Sequence, residues 1–257
     1  MPEAPHTADE MMTIAAARML RNGAVCFVGI GLPSAAANLA RLTRAPDVVL
    51  IYESGTIGAK PEVLPLSIGD GELSETADTV VSSVEIFSYW LSGGRIDVGF
   101  LGAAQIDRFA NINTTVIGDY LKPSIRLPGA GGAPEIAASS GEVLITLRQN
   151  KRAFVEKLDF FTSAGHLTGG DSRAQLHVPG KGSTAVITDL GILIPDRVTK
   201  ELTLTSIHPG ISAEQVIEAT AWPLKVSAEL KTTEPPTETE LRVLRDLQNR
   251  TRKSQSD

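Results

Sequence analysis

Glu53 is the residue best placed by its neighbours to act as a nucleophile. It ends an apolar run, Val48-Val49-Leu50-Ile51-Tyr52, and opens the small stretch Ser54-Gly55-Thr56-Ile57-Gly58. In an open α/β sheet the C-terminal ends of parallel strands line the ligand crevice. A carboxylate held there after five apolar residues is expected to be partly desolvated and more nucleophilic. A helix cap or a surface ion pair uses the same residue type, so the spacing alone leaves both readings open. A second cluster is Val28-Gly29-Ile30-Gly31-Leu32-Pro33, where a strand turns into a helix. Bare backbone and a helix N-terminus favour anions. Ser34 stands where a third glycine would complete a dinucleotide fingerprint, so a tight strand-to-helix turn explains the glycines equally well. The third cluster is Gly129, Gly131 and Gly132 in "LPGAGGAPEIA". Their N–H groups, uncovered by side chains, could face a developing oxyanion, although a plain connector has the same composition. Polar residues precede it: Gln105, Asp107, Asn111, Asn113 and Asp119.

These clusters need elements to carry them. Residues 8–22 have a helical apolar stripe with Gly23 as a C-terminal cap. Strand 24–28, a helix opening at Pro33 and strand 48–52 make a βαβ unit, which predicts parallel strands. Further strands are expected at 80–84, 97–101, 141–148 and 152–163, with a short helix at 86–91. From residue 184 the texture changes to antiparallel strands turning at Asp189-Leu190-Gly191. Ser212 and Gln215 form a capping box for a helix, and a proline-bearing linker leads to a charged helix near 239–250. The expected fold class is α/β: an open, mixed, largely parallel sheet with flanking helices, C-terminal antiparallel strands and a helical extension. One domain spans 1–257, with 1–7 and 251–257 read as disordered tails.

Bulk composition removes several function classes. The 257 residues carry a net charge of −6, with 42% hydrophobic and 5% aromatic side chains. No basic block interleaved with aromatics is present, so nucleic-acid binding is not expected. The single cysteine, Cys26, permits no intrachain disulfide, and a cytoplasmic location is expected. "MPEAPHTADEMM" lacks the pattern of a signal peptide, and no apolar run reaches membrane-spanning length. The four histidines lie apart, so no metal site is expected. Cys26 within "GAVCFVG" reads as an inert core thiol, and His208 before Pro209-Gly210 as a turn or surface residue.

Taken together the clusters resemble the family I CoA-transferases, and among them the β subunits of glutaconate CoA-transferases. The matching blocks are "VGIGLP" (28–33), "APDVVLIYESG" (45–55), "GAAQIDRFANINTTVIGDYLKPSIRLPGAGGAPEIA" (102–137), "ITDLGIL" (187–193) and "HPGISAEQVIEATAWPL" (208–224). The resemblance implies that Glu53 is the nucleophile and forms a glutamyl-CoA thioester. It implies that Gly131 or Gly132 supplies an oxyanion-hole N–H. Gly29, Gly31, Pro33, Ser54, Gly55, Gln105 and Gly129 would lie around the substrate and CoA. It further implies acyl-CoA and (di)carboxylic acid substrates, no cofactor or metal, a separate α subunit and a higher-order hetero-oligomer. Two departures stand out. Ser54 replaces the asparagine common among small-oxoacid transferases, which favours a dicarboxylate. Ala110 stands where relatives usually have glycine. The competing expectation is a homologous acyl-CoA decarboxylase or hydrolase subunit; such members often lack the glutamate.

Overall fold

The computed structural model describes residues 6–255. The architecture is α/β, a mixed, largely parallel sheet with flanking helices and added antiparallel strands, as expected. The chain divides into two compact units. One comprises residues up to Phe100 together with those from Pro235 onward; the other is Leu101–Glu234.

The first unit is built around the strand Val25–Val28, which pairs in parallel with Val49–Ile51 on one side and with Val98–Phe100 on the other. Cys26, Phe27, Leu50, Ile51 and Phe100 are fully buried, so burial on both faces drives these short apolar runs together. Two short antiparallel strands, Thr56–Ile57 and Thr79–Val80, extend the sheet. The strand expected over 80–84 stops at Val80. Ser82 and Glu85 form a capping box that starts a helical turn at Ser83–Glu85, which runs into a π-helical turn, Ile86–Leu91. Helix Ala8–Met19 ends earlier than expected. Gly23, at φ +75°, shapes the turn into the first strand instead of capping the helix. Helix Glu238–Ser254 packs on Ala8–Met19 and on Leu32–Thr43. Arg18 pairs with Glu240 at 2.7 Å and Arg245 with Glu10 at 2.6 Å, while the buried Thr251 hydroxyl accepts from Leu64 N–H. The described parts of the expected tails therefore differ from that reading. Thr7 caps the first helix, and residues 251–254 are helical. Residues 1–5 and 256–257 lie outside the described residues.

In the second unit Glu142–Thr146 pairs in parallel with Ser183–Ile187. Gly191–Pro195 and Leu202–Ile207 follow antiparallel, as expected, and Lys225–Thr232 adds a parallel edge that its weak alternation does not announce. Helix Ala213–Glu218 starts at the expected Ser212–Gln215 capping box. The polar stretch after residue 102 folds into two hairpins, Gln105–Ile106 with Ile112–Asn113 and Val116–Gly118 with Pro123–Arg126. No strand forms over 152–163. That segment meets the first hairpin through isolated bridges at Phe154 and Ser163 and through scattered hydrogen bonds such as Gln105–Asp159, and Phe154 stacks on Trp222 at 5.7 Å. Its apolar residues serve side-chain packing rather than a ladder.

Candidate active site

In the first unit the ends of two neighbouring parallel strands meet. Phe27 is in register with Ile51, so Gly29 and Glu53, each two residues further on, lie at the same C-terminal edge. Glu53 opens a three-residue loop. Tyr52 N–H donates to Thr56 carbonyl at 3.1 Å, and Gly55 N–H donates to Tyr52 carbonyl at 3.0 Å. Such loops require positive φ at the last position, and Gly55 has φ +106°. A methyl group on Gly55 would lie 1.9 Å from Val81 carbonyl oxygen, so the neighbouring chain also demands glycine there. Its carbonyl accepts from Val81 N–H at 2.9 Å.

Two hydroxyls lie on the residues that follow Glu53 in the loop. The buried oxygens of Ser54 and Thr56 have no hydrogen-bond partner among the described residues. Each such orphan costs about 1–3 kcal/mol, and such costs concentrate where a structure serves a ligand. Behind the loop, Tyr52 is fully buried and its hydroxyl lies 3.2 Å from Ser34 Oγ and 3.4 Å from Asn38 Nδ2. Burial pushes the Tyr52 phenol up, so it stays protonated. This cluster ties the Glu53 strand to helix Leu32–Thr43. Composition does not single it out, although Ser34 and Asn38, four apart on an otherwise apolar helix, are a readable signal.

The Gly29–Gly31 turn leads into that helix. Gly29 N–H donates to Phe100 carbonyl at 2.9 Å, and a methyl group on Gly29 would sit 2.9 Å from the same oxygen. Gly31 is the N-cap at φ +86° with no side-chain cap, and Pro33 occupies the first turn. The helix thus presents uncapped N–H groups at the edge where Glu53 sits, a setting that favours negative charge.

The glycine loop belongs to the second unit. Gly129 anchors it: its N–H donates to Thr114 carbonyl at 2.9 Å, and its carbonyl accepts from Thr114 hydroxyl at 2.8 Å. Ala133 N–H closes a turn on Ala130 carbonyl at 3.0 Å, with Gly131 at φ +50° and Gly132 as the N-cap of helix Ala133–Ser139. Gln105 lies within the interior of this unit, 4% exposed. Its oxygen accepts from Asn113 at 2.8 Å and its amide donates to Asp159 at 2.9 Å. Ala110 adopts φ +58°, the conformation that makes glycine the easier residue there. Arg173, unremarkable in the sequence, is buried and donates to the carbonyls of Ala137, Ala138, Ala164, Gly165 and Gly180.

The discounted residues stay outside this chemistry. Burial, reinforced by Asp97, pushes the Cys26 thiol far up. His208 is buried rather than at the surface, with Nε2 2.9 Å from Thr188 carbonyl. No helix among the described residues is long and apolar enough to cross a membrane.

Known proteins match the chain across both the Glu53 turn and the glycine loop. Residues 9–219 match the family described as coenzyme A transferase. The chain is 68% identical over 246 residues to the B-type subunit of the 3-oxoadipate CoA-transferase of Pseudomonas knackmussii, covering 96% of this chain and 95% of that protein. It is 37% identical over 238 residues to the B-type subunit of the glutaconate CoA-transferase of Acidaminococcus fermentans, with 90% and 89% covered. The crystal structure of glutaconate coenzyme A-transferase from Acidaminococcus fermentans superposes with a TM-score of 0.87 at 34% identity, covering 94% of each chain. The chain belongs to the coenzyme A transferase family.

Proposed function

We propose that this CoA-transferase chain carries the nucleophile, Glu53, and that CoA passes through a covalent glutamyl thioester on it. The observation that carries the reading is the position of Glu53 on a loop fixed by Gly55 and shared with the orphan hydroxyls of Ser54 and Thr56, at the sheet edge where a helix N-terminus is uncapped. The carboxylate attacks an acyl-CoA thioester, and the carbon–sulfur bond breaks to give a mixed anhydride and CoA thiolate. The thiolate attacks the glutamyl carbonyl, the acid leaves, and Glu53 holds CoA as a thioester. An incoming carboxylate reverses these steps and departs as the new acyl-CoA. The energy of the thioester is kept in covalent intermediates, so the reaction asks for no metal, nucleotide or other cofactor. Each step passes through a tetrahedral oxyanion. We assign the donor to the Gly131 N–H, which makes no hydrogen bond among the described residues.

The substrate acid is proposed to be a dicarboxylate of the 3-oxoadipate type. The 68% identity to a 3-oxoadipate CoA-transferase chain moves the reading from glutaconate toward this acid. Both relatives are one of two kinds of subunit by name, so a separate α subunit is the proposed partner, in a cytoplasmic hetero-oligomer. Charge supports a partner. The two cations nearest in sequence to the glycine-bearing segments are engaged: Lys60 with Asp78, and Arg126 over the Tyr120 ring at 5.3 Å. A dicarboxylate and CoA together bring several negative charges and need cations and a dry cleft.

The test is to co-express both chains, incubate the complex with 3-oxoadipyl-CoA alone, reduce with borohydride and map peptides by mass. The expected result is a reduced glutamyl residue at Glu53. An unmodified Glu53 in a complex that still exchanges CoA would overturn the assignment.

A further inference from the structure

A cleft of about 750 Å³ lies in the Leu101–Glu234 unit and is lined by none of the residues assigned to the chemistry above. It opens at the N-terminal end of strand Ser183–Ile187, where Arg173 reaches the carbonyls of Ala137 and Ala138. Those carbonyls close the C-terminal end of helix Ala133–Ser139, and the glycine loop enters at the opposite end. Seven residues of helix separate the two by roughly 10 Å.

The chain as a whole is acidic, with 30 carboxylates against 24 Lys and Arg. This cleft reverses the balance. Arg173, Lys181, Arg197 and Lys200 line it against a single carboxylate, Asp171. Arg173 is committed to carbonyls, but Lys181, Arg197 and Lys200 form no ion pair among the described residues. The rim is built rather than loose. Asp196 accepts the N–H groups of Val198 and Thr199 at 3.0 and 2.7 Å, and Lys200 is held at φ +62°. His166, 5% exposed, lines the floor with its Nε2 2.7 Å from Ser183 carbonyl, so that nitrogen carries the proton. Burial, joined by the fields of Arg173 and Lys200, presses this imidazole below its ordinary value. Beside the cations, Ile194, Pro195 and Val198 offer an apolar wall, with Val198 79% exposed.

We propose that this cleft binds a phosphate-bearing organic anion of nucleotide size. Its volume falls within the range of about 300–1,000 Å³ typical of small-molecule sites. Three uncompensated cations suit a multiply charged phosphate group. The apolar wall takes a ring or chain, which a bare inorganic anion or a short dicarboxylate does not offer.

The experiment is calorimetric titration of the co-purified two-subunit complex with ADP and, separately, with adipate. ADP is expected to bind and adipate not. The double variant K181E/K200E is expected to weaken ADP binding more than tenfold with an unchanged thermal midpoint. R197E is the second variant should the first fail to fold, and the same loss is expected from it. Absence of ADP binding would overturn the proposal, as would adipate binding in place of ADP. ADP binding that persists undiminished in a folded variant would place the ligand elsewhere and overturn it too.

Discussion

The Glu53 loop and the Gly129–Gly132 loop are both glycine-bearing turns, yet their glycines answer to different constraints. In the first, backbone presses in from outside: Val81 carbonyl lies 1.9 Å from where a Gly55 methyl group would be. In the second, a methyl group on Gly129 would meet nothing within 4 Å, and its φ of +107° alone calls for glycine. Glycine in the Glu53 loop is therefore a packing residue that fixes a carboxylate. In the other loop it keeps a backbone face open. The proposed acyl transfer would ask for rigidity at the attacking group and for a bare N–H at the developing charge.

Four substitutions can break or sharpen this contrast. Glu53→Gln keeps shape and removes charge, and should lower transfer by roughly four orders of magnitude or more while the thermal midpoint holds. Transfer at the wild-type rate would sink the nucleophile assignment. Gly131→Pro removes the proposed donor N–H and should cost about 10²–10³ in kcat with little change in KM for acyl-CoA. An unchanged kcat would make the loop a connector. The third and fourth are stability measurements by denaturant midpoint. Gly55→Ala forces a methyl group onto Val81 and should destabilise the fold by about 3 kcal/mol. Gly129→Ala meets only a dihedral penalty and should cost about 1 kcal/mol. Equal losses at the two positions would erase the distinction between collision and conformation.

Much of this is legible in the residues. Buried strands such as Val25–Val28 and Val49–Ile51 announce themselves because four or five consecutive apolar residues have no other use. The Ser212–Gln215 capping box is readable because its partners are local. What escapes depends on distant partners. Lys225–Thr232 alternates weakly and becomes a strand only beside Leu202–Ile207. The stretch 152–163 is as apolar as a strand, yet Phe154 is claimed by Trp222, far along the chain. In the candidate site, Glu53 is visible from its place after a strand. The reason for Gly55 is not, since Val81 meets it only in three dimensions. Gln105, a polar residue in a matching block, joins an interior network with Asn113 and Asp159, and the second of these partners is far along the chain.

Helix Glu238–Ser254 has a consequence for the order in which this protein can be made. It is the last element of the first unit, pinned there by the Arg18–Glu240 and Arg245–Glu10 pairs, while the whole of Leu101–Glu234 lies between it and its partners in sequence. On a ribosome the second unit is complete before this helix is synthesised. Until then, the helices Ala8–Met19 and Leu32–Thr43 wait with an apolar face uncovered. Those two helices would thus be the last part of the first unit to find their final support, and the first to need shielding while synthesis continues.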